Sequence, residues 1–265
     1  MPSEACWRGA DMAQNTIIFL WTHVRARSSA FGRAMLERGD LAMFHEPFGR
    51  TFYHSDEREV ERFEVTDPDP AHRFEPTLGR ILAAAETEPV FVKEMAFQAI
   101  GRMTEEMLSR FQNTFLVRHP AEMLPSLYAR QPDYTHREVG YAELLALYQK
   151  VYALTEERPV VVEAGDLQRD PHGIMRAYCA RVGLPFKPEA LSWEPGLPSR
   201  FVWFEGGSWH TSLSQSRGLG ALAAPSEHPP VESVPALKAL YEEVLPIYEA
   251  LTADRLTPLA GGDPS

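Results

Sequence analysis

Five short apolar runs recur between stretches of helical periodicity, and this alternation limits the chain's fold more than any other feature. The runs are TIIFLW (16–21), LAMF (41–44), PVFVK (89–93), NTFLVR (113–118) and RPVVVE (158–163). Each is followed by a polar or turn residue and reads as a buried strand. Between them, Ser28 to Arg38 has helical spacing with Phe31, Met35 and Leu36 on one side. Residues 139–157 carry Tyr141, Leu144, Leu145, Tyr148, Val151 and Tyr152 at helical intervals. Pro171 to Val182 predicts a helix with Ile174, Met175, Tyr178 and Val182 inward and Pro171 in its first turn. A last helix is expected over 235–252. Strands buried on both faces and alternating with helices predict a parallel sheet in a three-layer α/β domain. Ligands in such sheets bind beyond the carboxyl ends of the strands.

A chain of 265 residues, 44% hydrophobic and 24% charged, can bury a large core as a single domain. We expect that domain over 14–255, with 1–13 a disordered extension (Met12 is a candidate start) and 256–265 a tail. Segments 49–76 and 184–200, rich in charge and proline, read as irregular excursions over the sheet. The net charge of −11 argues against a general nucleic-acid binder, while leaving room for one anion in a local basic pocket. The start lacks the basic flank and apolar run of a signal peptide, and no segment reaches the roughly 18 apolar residues of a membrane span. Cys6 and Cys179 are the only cysteines, and no Cys/His spacing suggests zinc. A reducing, cytoplasmic location is expected.

The segments after the strands carry the chemistry. THVRARSSAFGRAM follows the first run: a loop of arginines and serines opening a helix, which is how a phosphate is cradled. A serine-capped helix with surface arginines would look the same. The Walker pattern is absent. After the fourth run, Arg118 precedes Ser126 by eight residues, a spacing that lets both reach one anion if the chain bends back. After the second run, His45 and Glu46 are candidate general bases. After the third, Lys93 is a charge to neutralise a donor and Glu94 a further carboxylate.

Together these segments resemble the family of sulfotransferases that use 3′-phosphoadenosine 5′-phosphosulfate (PAPS), nearest its bacterial and fungal small-molecule branch. Over 22–30 the loop is similar to the family's P-[KR]-S-G-[TS]-[TS] loop, with Arg25, Ala26, Arg27, Ser28 and Ser29 at the donor's 5′ side. Arg118 and Ser126 match the family's 3′-phosphate pair. Segment 163–186 resembles the family's E-D-L…P stretch, and GSWHTSLSQSRGLG (207–220) a late loop that places Arg217 and Gly218 near the 3′-phosphate. Glu46 matches the glutamate that serves as base in related bacterial and carbohydrate enzymes. Met95 stands where the cytosolic branch has its catalytic histidine. Val24 replaces the family's proline and Arg27 its glycine, which restricts the backbone where a left-handed conformation is called for.

The resemblance implies a P-loop-like α/β domain with a central parallel sheet of four or five strands flanked by helices, and no metal. It implies sulfuryl transfer to a small-molecule hydroxyl, with PAP as product, Glu46 as base and Arg25 on the leaving phosphate. Lys93 assists. The acceptor is expected under 47–76, 128–140 and 195–215, near Phe48, Phe52, Tyr53, Tyr128, Tyr134, Trp203 and Trp209. A homodimer is allowed but not specified. A nucleotide-dependent kinase and an inactive nucleotide-binding scaffold are the rival readings.

Overall fold

The computed structural model describes residues 16–201, 207, 209–220 and 228–260. Cys6, Met12, Trp203, the extension 1–13 and positions 261–265 of the tail lie outside them. The strands are β1 (Ile17–Thr22), β2 (Ala42–His45), β3 (Val90–Met95), β4 (Gln112–Val117) and β5 (Val160–Glu163). They form one parallel sheet in the order β2-β3-β1-β4-β5. The helices that position the cleft are α1 (Ser28–Glu37), α2 (Gly49–His54), α3 (Phe74–Ala85), α4 (Ala96–Ala99), α5 (Glu105–Arg110), α6 (Pro120–Tyr128), α7 (His136–Val139) and α8 (Tyr141–Thr155). After β5 come α9 (Ala164–Arg169), α10 (Pro171–Val182), α11 (Thr211–Gln215) and α12 (Pro235–Thr252).

The central strand shows why the molecule has three layers. Successive side chains of a strand point to opposite faces. In β1, Ile17, Phe19 and Trp21 enter one core with Leu144, Leu147, Leu237 and Val244 of α8 and α12. Ile18 and Leu20 enter another with Phe31 and Met35 of α1 and Ile174 and Tyr178 of α10. Every residue of β1 is buried, so its uninterrupted apolar run reports two covered faces. Because β1 is flanked by β3 and β4, the connections diverge at its carboxyl end, which opens a crevice there.

Local signals set the helix ends. Asp170 accepts from the Gly173 amide at 2.8 Å with Pro171 in the first turn of α10, and Gly183 ends it at φ 73°. Glu163 caps α9 in the same way, accepting from the Asp166 amide at 2.8 Å. Cys179 is a buried free thiol, pushed up to about 11 by burial. Two expectations change. In α8 the buried stripe is Tyr141, Leu144, Leu147 and Val151, and Tyr152, on the flank of that stripe in the last turn, is 45% exposed. Segment 49–76 is not wholly irregular: it contains α2 and a 3₁₀ turn (Pro70–His72), and α3 begins at Phe74, whose amide donates to Glu57 at 2.8 Å. No described helix is long and apolar enough to cross a membrane.

Candidate active site

A cavity of about 240 Å³ lies over the carboxyl ends of β1, β3 and β4, where the post-strand segments converge. Behind it, fully buried and off its lining, lies His23. The Arg118 amide donates to His23 Nε2 at 3.0 Å, so the proton sits on Nδ1, which donates to the Val24 carbonyl at 2.8 Å. Burial holds this imidazole neutral, at about 3. The ring stacks on Tyr141 (4.2 Å), whose hydroxyl donates to the Arg118 carbonyl. The ends of β1 and β4 are thereby joined through one histidine. Gly140 makes room for it: φ is 82°, and a Cβ there would lie 3.2 Å from the His23 Cβ.

Beyond His23 the loop turns twice through left-handed backbone, at Arg25 (φ 54°) and Arg27 (φ 65°). Arg27 therefore adopts the conformation that the missing glycine would take more easily. The ladder of α1 starts with the Ala30 and Phe31 amides on the Arg27 carbonyl, so the Ser28 and Ser29 amides precede it at the positive end of the helix. The Arg25 guanidinium crosses the cleft. It donates through Nε to Ser126 Oγ (3.1 Å) and through Nη1 to the Trp209 carbonyl (3.1 Å). Burial, with the charges of Arg118 and Arg130, lowers it to about 10, which leaves it charged at neutral pH. Arg118 donates to the Arg25 carbonyl at 3.1 Å and to Glu122. Arg25, Ser126 and Arg118, drawn from two segments about a hundred residues apart, thus form one linked cluster.

On the other side, Glu46 follows β2 at φ 48°, its amide bonded to the Lys93 carbonyl at 2.7 Å. Its carboxylate makes a buried ion pair with the Lys93 ammonium. Burial works to raise this carboxyl, but the charge and hydrogen bond of Lys93, with His45 and His210, together hold it at about 2. His45 stacks on Phe201 with Nε2 3.7 Å from Glu46, and burial holds it at about 3. It stands behind Glu46 and is not among the residues lining the cavity. Glu94 also lies off the cavity. Its two oxygens accept the amides of Phe48 and Met95 at 2.7 Å each. Burial and the nearby Glu46 charge raise it to about 8 against the pull of those amides.

Residues that the sequence pattern did not single out complete the cavity. His210 lines it, its ring 5.7 Å from His45, and burial lowers it to about 4. Arg62 forms a two-pronged pair with Glu138 (2.7 and 2.6 Å), and the Tyr53 hydroxyl donates to the same carboxylate at 3.3 Å. One local signal was available: Thr135-x-x-Glu138 is a capping box, present in α7. The pairing of Glu138 with Arg62, 76 residues earlier, has no local signature. Of the aromatics expected here, Tyr53 and Trp209 line the cavity, whereas Phe48 and Phe52 belong to the core and Tyr128 and Tyr134 pack partly buried against it. Arg217 and Gly218 do not line it. Arg217 is exposed, 3.4 Å from Glu194, and Gly218 bridges Ser192.

At the carboxyl edge of the parallel sheet, the loop that opens α1 thus faces a buried carboxylate–lysine pair across one cavity. The chain belongs to the sulfotransferase domain family, whose profile matches residues 16–255. It is 26% identical over 240 residues to branched-chain-amino-acid aminotransferase-like protein 2 of Arabidopsis thaliana. It is likewise 26% identical to protein 1 of that name. The matches take in 89% and 91% of this chain but 41% and 42% of those proteins, so the chain spans about two fifths of their length. Among solved structures, the sulfotransferase domain from the curacin biosynthetic pathway aligns at a TM-score of 0.46 and 14% identity, over 87% of this chain and 97% of that one. Mouse sulfotransferase SULT7A1 complexed with PAP aligns at 0.47 and 11%, over 91% and 85%.

Proposed function

We propose that the protein transfers the sulfuryl group of PAPS to the hydroxyl of a small-molecule acceptor. The observation that carries this reading is the convergence of the β1–α1 loop with Arg118 and Ser126 around one cavity that also contains Glu46 and Lys93. In a chain of net charge −11, five cationic side chains (Arg25, Arg27, Arg62, Lys93 and Arg118) line this one cavity, against the two carboxylates Glu46 and Glu138. An anionic nucleotide fits that local field.

In this reading Arg118 and Ser126 hold the 3′-phosphate, and the Ser28 and Ser29 amides with Arg25 hold the 5′ side. As the acceptor oxygen bonds to sulfur, the sulfur–oxygen bond to the 5′-phosphate breaks and negative charge grows on the departing phosphate. Arg25 and the helix amides oppose that charge. Glu46, ionised throughout the neutral range, takes the acceptor's proton, and Lys93 stands beside it. His210, neutral and in the cavity wall, is the alternative base. The acceptor occupies the lobe between Tyr53, Phe63, Met95 and Phe97. We place the protein in a reducing compartment, where Cys179 stays a thiol.

The test is thermal unfolding with PAP set against ATP at equal millimolar concentration. Ligand at about 100 times its dissociation constant stabilises by roughly 2.7 kcal/mol. The expected result is a shift with PAP that Arg118→Ala abolishes. A shift with ATP alone favours a kinase, and no shift with either favours a scaffold.

A further inference from the structure

Resting on this donor reading, we infer that Glu122 is a resident stand-in for the nucleotide's 3′-phosphate, and that Arg27 is a further guanidinium of the same seat. Arg118 donates to a single oxygen of Glu122, Oε2, through Nε (3.1 Å) and Nη2 (3.0 Å). Arg27 Nη2 lies 3.8 Å from that same oxygen. Arg27 Nη1 is buried with no hydrogen-bond partner among the described residues. Two guanidinium groups therefore surround one carboxylate oxygen and leave a donor unused. A phosphate, with three terminal oxygens and about two negative charges, would satisfy that donor set more fully.

The burial of the partners indicates which of them moves. The Arg118 and Arg27 side chains are 7% and 14% exposed, whereas Glu122 is 48% exposed in the first turn of α6. A half-exposed carboxylate can swing into water at small cost, and buried guanidinium groups cannot. Without nucleotide, Glu122 offsets the repulsion between Arg118 and Arg27 and keeps both aimed at the cleft. With nucleotide, the 3′-phosphate displaces it. Arg27 then has a divided role: its main chain turns in the loop at the 5′ side, and its guanidinium serves the 3′ side. That gives a physical reason for an arginine at φ 65°, where glycine costs less. A nucleotide without a 3′-phosphate leaves Glu122 in place and gains nothing from the pair.

The experiment is calorimetric titration of PAP and of 5′-AMP into the full chain, Glu122→Gln and Arg27→Gly. Glu122→Gln keeps the side chain's shape and removes one charge next to a dianion. We expect PAP to bind that variant about tenfold more tightly, with 5′-AMP unchanged. Arg27→Gly should bind PAP about tenfold more weakly and leave 5′-AMP unchanged. Glu122→Gln binding PAP no tighter than the parent, or more weakly, overturns the stand-in while leaving the donor reading intact. Arg27→Gly binding PAP as the parent does removes Arg27 from the seat. A parent chain that does not bind PAP overturns the donor reading itself, and this inference with it.

Discussion

Lys93 and Glu94 are neighbours in β3 whose side chains leave the sheet on opposite faces, and that divergence separates the Glu46–Lys93 ion pair from its support. Lys93 faces the cleft and pairs with Glu46. Glu94 faces the other way and holds the amides of Phe48 and Met95, two residues beyond Glu46 and two beyond Lys93. One strand thus supplies both the charge that keeps Glu46 ionised and the anchor for the turn that presents it.

Glu46→Gln should lower sulfuryl transfer by about 10²–10⁴-fold at saturating PAPS. The acceptor is whichever one a screen of alcohols, phenols and sugars returns. PAP affinity should stay within about threefold of the parent. Full turnover in this variant, with loss in His210→Ala, would move the base to His210. With Glu46 held at about 2 and His210 at about 4, the rate should show no acid limb between pH 5 and 8. A limb near the ordinary histidine value would contradict this assignment.

The two carboxyls act on stability with opposite signs. Glu46, lowered to about 2, contributes stability that is full above its unfolded value and is lost as pH falls toward 2. Glu94, raised to about 8, keeps its proton in the folded chain where the unfolded chain has released it. Its contribution therefore falls as pH rises from about 5 to 8, by at most about 1.4 kcal/mol per pH unit. His23, His45 and His210, held low by burial, add stability as pH rises over part of this range in both chains, so urea unfolding should show the parent losing stability relative to Glu94→Gln as pH rises from about 5 to 8. Identical slopes would mean that Glu94 is ionised when folded.

Arg118→Ala should weaken PAP by at least about tenfold, the loss of charge-assisted hydrogen bonds worth about 1.5–3 kcal/mol. It should leave 5′-AMP nearly unaffected. Equal losses for both nucleotides would show that Arg118 supports the loop rather than reading the 3′ position.

Gly140→Ala should destabilise the fold by about 1–3 kcal/mol. The residue sits at φ 82°, and the added Cβ meets His23 at 3.2 Å and Phe97 at 3.3 Å. Differential scanning calorimetry should record a lower midpoint. An unchanged midpoint would mean that the His23–Tyr141 stack yields without cost.

The five strands and the four main helices were legible along the chain because each is a local consequence of side-chain periodicity and capping. PVFVK marks β3, and Asp170-Pro171 with Gly183 marks both ends of α10. The Tyr152 expectation failed because periodicity gives a helix's apolar side but not how far the neighbouring layer extends along it. Arg25 and Ser126, read from separate segments, meet at 3.1 Å.

The order of strands and helices was already determined by the sequence: short apolar runs between helical stretches leave few ways to bury both faces of a sheet. The motif residues stood at fixed offsets after those runs, so their positions at the carboxyl edge followed. Only the tertiary structure decided which of them share a cavity. It drew Glu122 onto Arg118 and Arg27, turned Glu94 away from the cleft, left Arg217 on the surface, and joined Arg62 to Glu138. Apart from Arg118 and Glu122, which stand four residues apart, such pairings depend on three-dimensional proximity and on the energetic need of a buried charge for a partner, and neither leaves a local mark in the order of residues.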